Sequence, residues 1–141
     1  MDRRKFIAFT VVQIVAAGFA FWILMRFPTP WNTQRYLGTA LAVVGISGIA
    51  IARYHLGRSF SIRAEAHQLV TWGVYSKIRN PIYVFGVVMI AGFLLVVQRP
   101  ALWIILGVVI LGQVVRARRE ARVLEAAFGD AYREYRRKTW F

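Results

Sequence analysis

Arg79, Asn80 and Pro81 stand directly in front of an uncharged run that continues to Val97, within the stretch SKIRNPIYVFG at 76–86. Asn is favoured as the cap of a helix start and Pro at the first helical position, and Pro81 also steers Asn80 away from helical backbone, as a cap requires. The same geometry can hold an anion, because the free N–H groups of a helix start carry partial positive charge. Arg79 adds a planar fork suited to a carboxylate or phosphate. A purely structural role, with Arg79 facing lipid headgroups, accounts for the same three residues. A second constellation is Gln113, Arg116 and Glu120, spaced so that all three share one side of a helix. On its own the Arg116–Glu120 spacing implies only an i,i+4 pair, worth about 0.2–0.5 kcal/mol. If the two segments are neighbouring helices, Glu120 faces Arg79 and Asn80 across a small polar gap, and one carboxylate opposite one cation suits a zwitterionic ligand such as an amino acid group. A third piece is HQLVTWGVY at 67–75. Gly73 permits turns closed to other residues, or the close approach of a ligand. Trp72 and Tyr75 offer flat faces to a ring or a cation, although interfacial anchoring is the commoner use of such aromatics.

Four apolar blocks must position these groups. Phe6–Met25 has twenty residues and no charge, the length that a bilayer core of about 30 Å needs from a helix. Its basic lead, Arg3, Arg4 and Lys5, resembles that of a signal peptide, but the block is long and no clean cleavage site follows it. Pro28 and Pro30 then interrupt the chain. The second block, 36–52, contains Gly38, Gly45 and Gly48, small residues that let membrane helices approach closely. The third and fourth, 82–98 and 100–116, meet at Gln98-Arg99-Pro100 and are expected to form a tight antiparallel hairpin. The sixteen residues 82–97 reach only about 24 Å, so these two arms are short for a span unless flanking residues extend them or the bilayer thins.

The chain has 141 residues, 58% of them hydrophobic, with 19 Lys and Arg against 6 acidic residues and no cysteine. The length is that of one domain, residues 1–141. Disulfides and thiolate metal sites are excluded, and His55 and His67 offer little to a zinc ion. The basic residues are distributed unevenly: sixteen fall in the N-terminal tail, the 53–81 loop and the segment from Arg116 onward, and three, Arg26, Arg35 and Arg99, in the other two loops. The positive-inside rule therefore places both termini and the long loop in the cytoplasm, which explains the charge without nucleic acid. The fourth helix should run past the membrane surface, since no Gly or Pro interrupts RARREARVLEAAF before Gly129, a C-cap residue. Ala117, Ala121, Leu124 and Phe128 lie on one face of that extension, turned toward the cytoplasmic loop or the lipid surface. Beyond Gly129, Asp130 suits a second cap, and Tyr132, Tyr135, Trp140 and Phe141 suit anchoring at the interface. The expected architecture is an all-α integral membrane protein, with four transmembrane helices and a cytoplasmic helical extension over 117–141.

Taken in order, LGRSF (56–60), HQLVTWGVYSKIRNPIY (67–83) and RREARVLEAAFGDAYREY (118–135) resemble the isoprenylcysteine carboxyl methyltransferases and their relatives among the phospholipid methyltransferases. The resemblance covers about the C-terminal 60% of the chain. It implies an integral membrane enzyme that binds S-adenosylmethionine on the cytoplasmic side, in an inner membrane of a bacterium or archaeon, and methylates a lipid-like acceptor such as an isoprenylcysteine-type carboxylate. Carried over by position, Leu69, Val70, Gly73 and Tyr75 border the cofactor; Arg79, Asn80, Pro81 and Tyr83 form its floor; and Glu120 meets its polar end. Arg79, Asn80 and Glu120 are the residues closest to the chemistry. Two positions depart from the pattern: Asn80 stands where eukaryotic members have His, and Ala121 where they have a second Glu. The chain also lacks the longer C-terminal tail of many relatives. With few bases present, an acceptor that needs no deprotonation, such as a carboxylate, is favoured. The alternative is a noncatalytic membrane binding or scaffold protein that keeps the fold, which the missing second carboxylate would suit.

Overall fold

Three long helices and a shorter helical segment make up most of the described residues. In the computed structural model, which describes residues 11, 15, 18–56 and 69–141, the long helices are α1 (Thr33–Leu56), α2 (Pro81–Val97) and α3 (Trp103–Lys138). Two short 3-10 turns, Gly73–Ser76 and Pro100–Leu102, precede α2 and α3. Residues 18–26 are helical and end before Pro28 and Pro30. Among the described residues there is no strand, only one parallel bridge between Ile78 and Trp140. Helix α1 and the run Pro100–Lys138 are long and apolar enough to cross a membrane, whereas α2, with 17 residues, is shorter. Much of the expected span 6–25, the LGRSF motif beyond Leu56, and His67 lie outside the described residues.

The tight helix pair is α1 with α2, not the expected hairpin of α2 with α3. Along α1 the buried positions are Arg35, Gly38, Ala42, Gly45, Gly48 and Ala52, a single face made almost wholly of Gly and Ala. A methyl group built on Gly45 would lie 2.5 Å from the Met89 nitrogen, and one on Gly38 would lie 2.7 Å from the Gly92 oxygen. One built on Gly92 would strike the Ala42 backbone, and one on Gly48 would strike the Phe85 ring. The two backbones therefore touch, and packing of this kind holds membrane helices together without a hydrophobic driving force. Helices α2 and α3 are joined by a short turn yet approach each other at far fewer points. The reason lies in α3: its Gly107 and Gly112 face open space, so it offers no flat small-residue face to α2.

At the end of the bundle away from the candidate site, polar groups tie the turns together. Arg35, 2% exposed, donates to the carbonyls of Leu24 (2.9 Å) and Met25 (3.1 Å) and to that of Thr29, with its guanidinium 3.9 Å over the Trp31 ring. A cation against the last carbonyls of a helical segment satisfies groups that the helix cannot satisfy itself. Thr29 Oγ1 donates to Val96 O at 2.9 Å, and the amides of Asn32 and Gln98 pair at 3.1 and 3.3 Å. Gln98 closes α2 in the left-handed region, φ 56°.

Helix α3 runs from the apolar zone into the basic segment without a break, as its sequence predicts. Ala117 is buried and Ala121, Leu124 and Phe128 are half-buried, while Arg118, Arg119 and Arg122 are exposed. The helix then turns at Gly129, whose φ 51° and ψ −121° suit a residue without a Cβ. Asp130 does not act as a simple cap: with Glu125 it holds Arg133, at 3.1 and 2.9 Å, across the kink. These exposed pairs are each worth about 0–1 kcal/mol.

Candidate functional site

The loop before α2 packs on the end of α1. Val70 and Tyr75 are buried with Ala52, against Leu56, Val74 and Ile82, and Leu69 is half-buried beside them. Gly73 is required twice over. Its φ of +62° is left-handed, and a Cβ there would lie 2.7 Å from the His55 ring. The His55 ring in turn meets Trp72 edge-on, with centroids 4.8 Å apart. The outer face of Trp72 remains 55% exposed, and the buried His55 Nδ1 has no hydrogen-bond partner among the described residues. A flat aromatic face thus stands beside an unsatisfied buried nitrogen, on a loop whose shape glycine sets. Burial pushes the Tyr75 phenol well above its usual range, with Tyr135 and Glu120 adding to the shift and Arg53 opposing it, so Tyr75 stays neutral.

At the start of α2 the expected elements are present but differently used. Asn80 occupies the cap position, at φ −122°, and Pro81 follows at the first helical position, but the Asn80 side chain makes no capping bond. Its carbonyl instead accepts the N–H groups of Tyr83 (3.1 Å) and Val84 (3.2 Å). The backbone N–H groups just before the helix are taken by the C-terminal segment. The Arg79 N–H donates to Trp140 O and the Asn80 N–H to Phe141 O, both at 2.8 Å, and the Trp140 N–H donates to Lys77 O at 2.8 Å. Extended backbone with unpaired polar groups takes up whatever partner lies alongside, and here residues 140–141 do so. Arg79 is half-buried, and its charge acts on the phenols of Tyr132 and Tyr135.

Glu120 reaches the start of α2 from the other side. Its Oε1 accepts the Tyr83 hydroxyl and, at 3.3 Å, the Arg116 Nε. The Arg116 guanidinium also lies 5.7 Å from the centre of the Tyr83 ring. The acid therefore meets the first turn of α2 through Tyr83, while Arg79 and Asn80 contribute through charge and backbone. With its side chain 36% exposed, Glu120 retains an open flank. Among the described residues no cluster of His, Cys, Asp or Glu is suited to a metal ion.

Tyr132 and Tyr135 were expected as membrane anchors, but they are 1% and 8% exposed. Tyr135 donates its hydroxyl to the Tyr75 carbonyl at 2.8 Å, so the segment beyond Gly129 grips the loop. Their spacing of three residues, one helix face, was the only sequence signal for this inward role. Trp140, at 65%, remains exposed. The C-terminal segment is thus part of the site's wall.

A family model described as "Phospholipid methyltransferase" matches residues 33–131, which takes in α1, the loop, α2 and α3 to just past its kink. No curated protein and no solved structure matches the chain.

Proposed function

This chain belongs to the phospholipid methyltransferase family, and on that premise we propose that it is a membrane enzyme moving a methyl group from S-adenosylmethionine to a lipid-like acceptor. The observation that carries the reading is the bond from Tyr83 to Glu120. It draws an acid on α3 to the first turn of α2, the turn that Arg79 and Asn80 precede. The residues present fit the donor. The exposed Trp72 suits an aromatic base or a sulfonium, His55 Nδ1, without a partner among the described residues, suits a polar group of a nucleoside, and Glu120 with Arg79 suits an amino acid end. Leu69, Val70, Gly73 and Tyr75 shape the loop wall; Asn80, Pro81 and Tyr83 form the floor.

When bound, S-adenosylmethionine supplies an electrophilic methyl group on a sulfonium. The work of the chain is to hold donor and acceptor in line, and such alignment contributes several kcal/mol, up to about 7–11 in favourable cases. The acceptor's reacting group enters between α2 and α3, which approach each other at few points. A carboxylate acceptor needs no base; for an amine, Glu120 is the acid placed to take the proton. By the distribution of basic residues, the site faces the cytoplasm.

Calorimetry with S-adenosylmethionine tests the site, and labelled methyl transfer into a lipid extract tests the activity. Arg79→Ala and Glu120→Ala are each expected to weaken donor binding about 10- to 100-fold, the worth of a hydrogen bond to a charged group. Unchanged affinity in both folded variants would reject the site. Tight donor binding without label in any lipid would instead favour a noncatalytic protein.

A further inference from the structure

Gln113 is the one residue of α3 between Trp103 and Val115 that is neither apolar nor glycine. Its side chain faces α2: a Cβ built on Gly86 would meet only the Gln113 Nε2 within 4 Å, at 4.0 Å. No hydrogen bond to the Gln113 amide is formed among the described residues. A polar side chain inside an apolar span is costly to leave unpaired, and such residues mark paths for ligands. The two helices run antiparallel here, with Gly86 opposite Gln113 and Tyr83 opposite Arg116 and Glu120. The facing sides of α2 and α3 therefore carry a graded strip: an acid and a cation at the Tyr83 level and, beneath them, an amide without a partner among the described residues, facing a notch where α2 has no side chain.

We propose that Gln113 and the notch at Gly86 bind the ester linkage of a diacyl phospholipid as the lipid-like acceptor of the site described above; the assignment rests on reading the space between α2 and α3 as the acceptor's path. Gln113 lies three residues, about 4.5 Å along the helix, below Arg116. In a glycerophospholipid the ester carbonyls lie one glycerol unit below the phosphate. A phosphate held by the exposed Arg116 guanidinium thus brings an ester carbonyl to the Gln113 amide, which donates to it, while the glycerol backbone fills the space over Gly86. A lipid whose chain is joined through a thioether presents no comparable acceptor at that depth. The proposal therefore selects among lipid acceptors.

The test compares phosphatidylethanolamine in its diacyl form with the dialkyl ether form of equal chain length, which differs only in lacking the ester carbonyls. Binding of each to the detergent-solubilised full chain is followed by native mass spectrometry, and methyl transfer is followed in parallel. The wild type is expected to prefer the diacyl lipid about tenfold, the usual worth of one hydrogen bond. Gln113→Leu is expected to lower binding of the diacyl lipid to the ether level and leave the ether lipid unchanged. Gly86→Leu is expected to weaken both alike, and neither variant to alter S-adenosylmethionine affinity. Equal binding of the two lipids by the wild type, or a full ester preference kept by Gln113→Leu, would overturn the proposal. If the lipids bind as expected but no methyl is transferred, the binding site stands and the enzymatic reading fails.

Discussion

Replacing Tyr135 by Phe removes one hydroxyl and keeps the ring, so it isolates the bond that joins the C-terminal segment to the loop. That bond is 2.8 Å long, and Tyr135 is 8% exposed, so no solvent stands ready to replace the lost donor at the Tyr75 carbonyl. Leaving one buried acceptor unsatisfied costs about 1–3 kcal/mol. The remaining ties are the three backbone bonds of Arg79, Asn80 and Trp140 and the buried ring of Tyr132. If docking of the segment is a local two-state equilibrium, the loss raises the undocked fraction about 5- to 150-fold. Hydrogen exchange over peptides spanning 77–81 reads this directly, because the Arg79 and Asn80 amides are protected only by residues 140 and 141. Their exchange should accelerate by that factor, while the amides of α1 keep the wild-type rate. Donor affinity should fall less than in Glu120→Ala, since no contacting group is removed. Unchanged exchange at Arg79 and Asn80 in a folded Tyr135→Phe protein would show that the loop holds itself, and the structural role given to Tyr135 would be wrong.

Two further substitutions probe the frame around the site. Gly45→Ala should lower thermal stability in detergent by about 1–3 kcal/mol, because its methyl would lie 2.5 Å from the Met89 nitrogen, whereas Gly107→Ala, with nothing within 4 Å, should be neutral or mildly stabilising; equal effects at the two positions would contradict the close α1–α2 contact. Gly129→Ala should cost about 1–3 kcal/mol through backbone strain alone, since its Cβ meets nothing, and should accelerate exchange at 77–81 as Tyr135→Phe does; a protected segment in this variant would show that the kink does not depend on glycine.

Helices with strong composition were legible in the sequence. The boundaries of α2 follow from Asn80-Pro81 at one end and Gln98-Arg99-Pro100 at the other, and the continuation of α3 to Gly129 follows from the absence of any breaker. The glycines of the second block also announced a close helix pair. What the pattern did not reveal was the partner. Adjacency in the chain suggested α2 with α3, but the choice was made by a face of Gly and Ala on α1 that only α2 fits. In the site, the spacing of Arg116 and Glu120 was readable, and Tyr83 was named among the floor residues. The bond between Tyr83 and Glu120 depends on the register of two helices, which no local pattern encodes. The role of residues 132–141 was hidden for a related reason: aromatic residues in a basic tail look alike whether they face lipid or fold back. Arg35 likewise counted only as one stray positive charge, since the carbonyls it satisfies come from a segment about ten residues away.

Contact between the α1 and α2 backbones has a mechanical consequence. Two helices whose backbones meet at glycines have few side chains to flex between them, so they behave as one stiff blade. Helix α3 is fastened to that blade by the turn at 98–102, by the latch from Tyr83 to Glu120 and, beyond the kink, by the Tyr135 bond to the loop. Between that turn and the kink at Gly129, the Tyr83–Glu120 bond is the side-chain tie that must break before α3 can move away from α2.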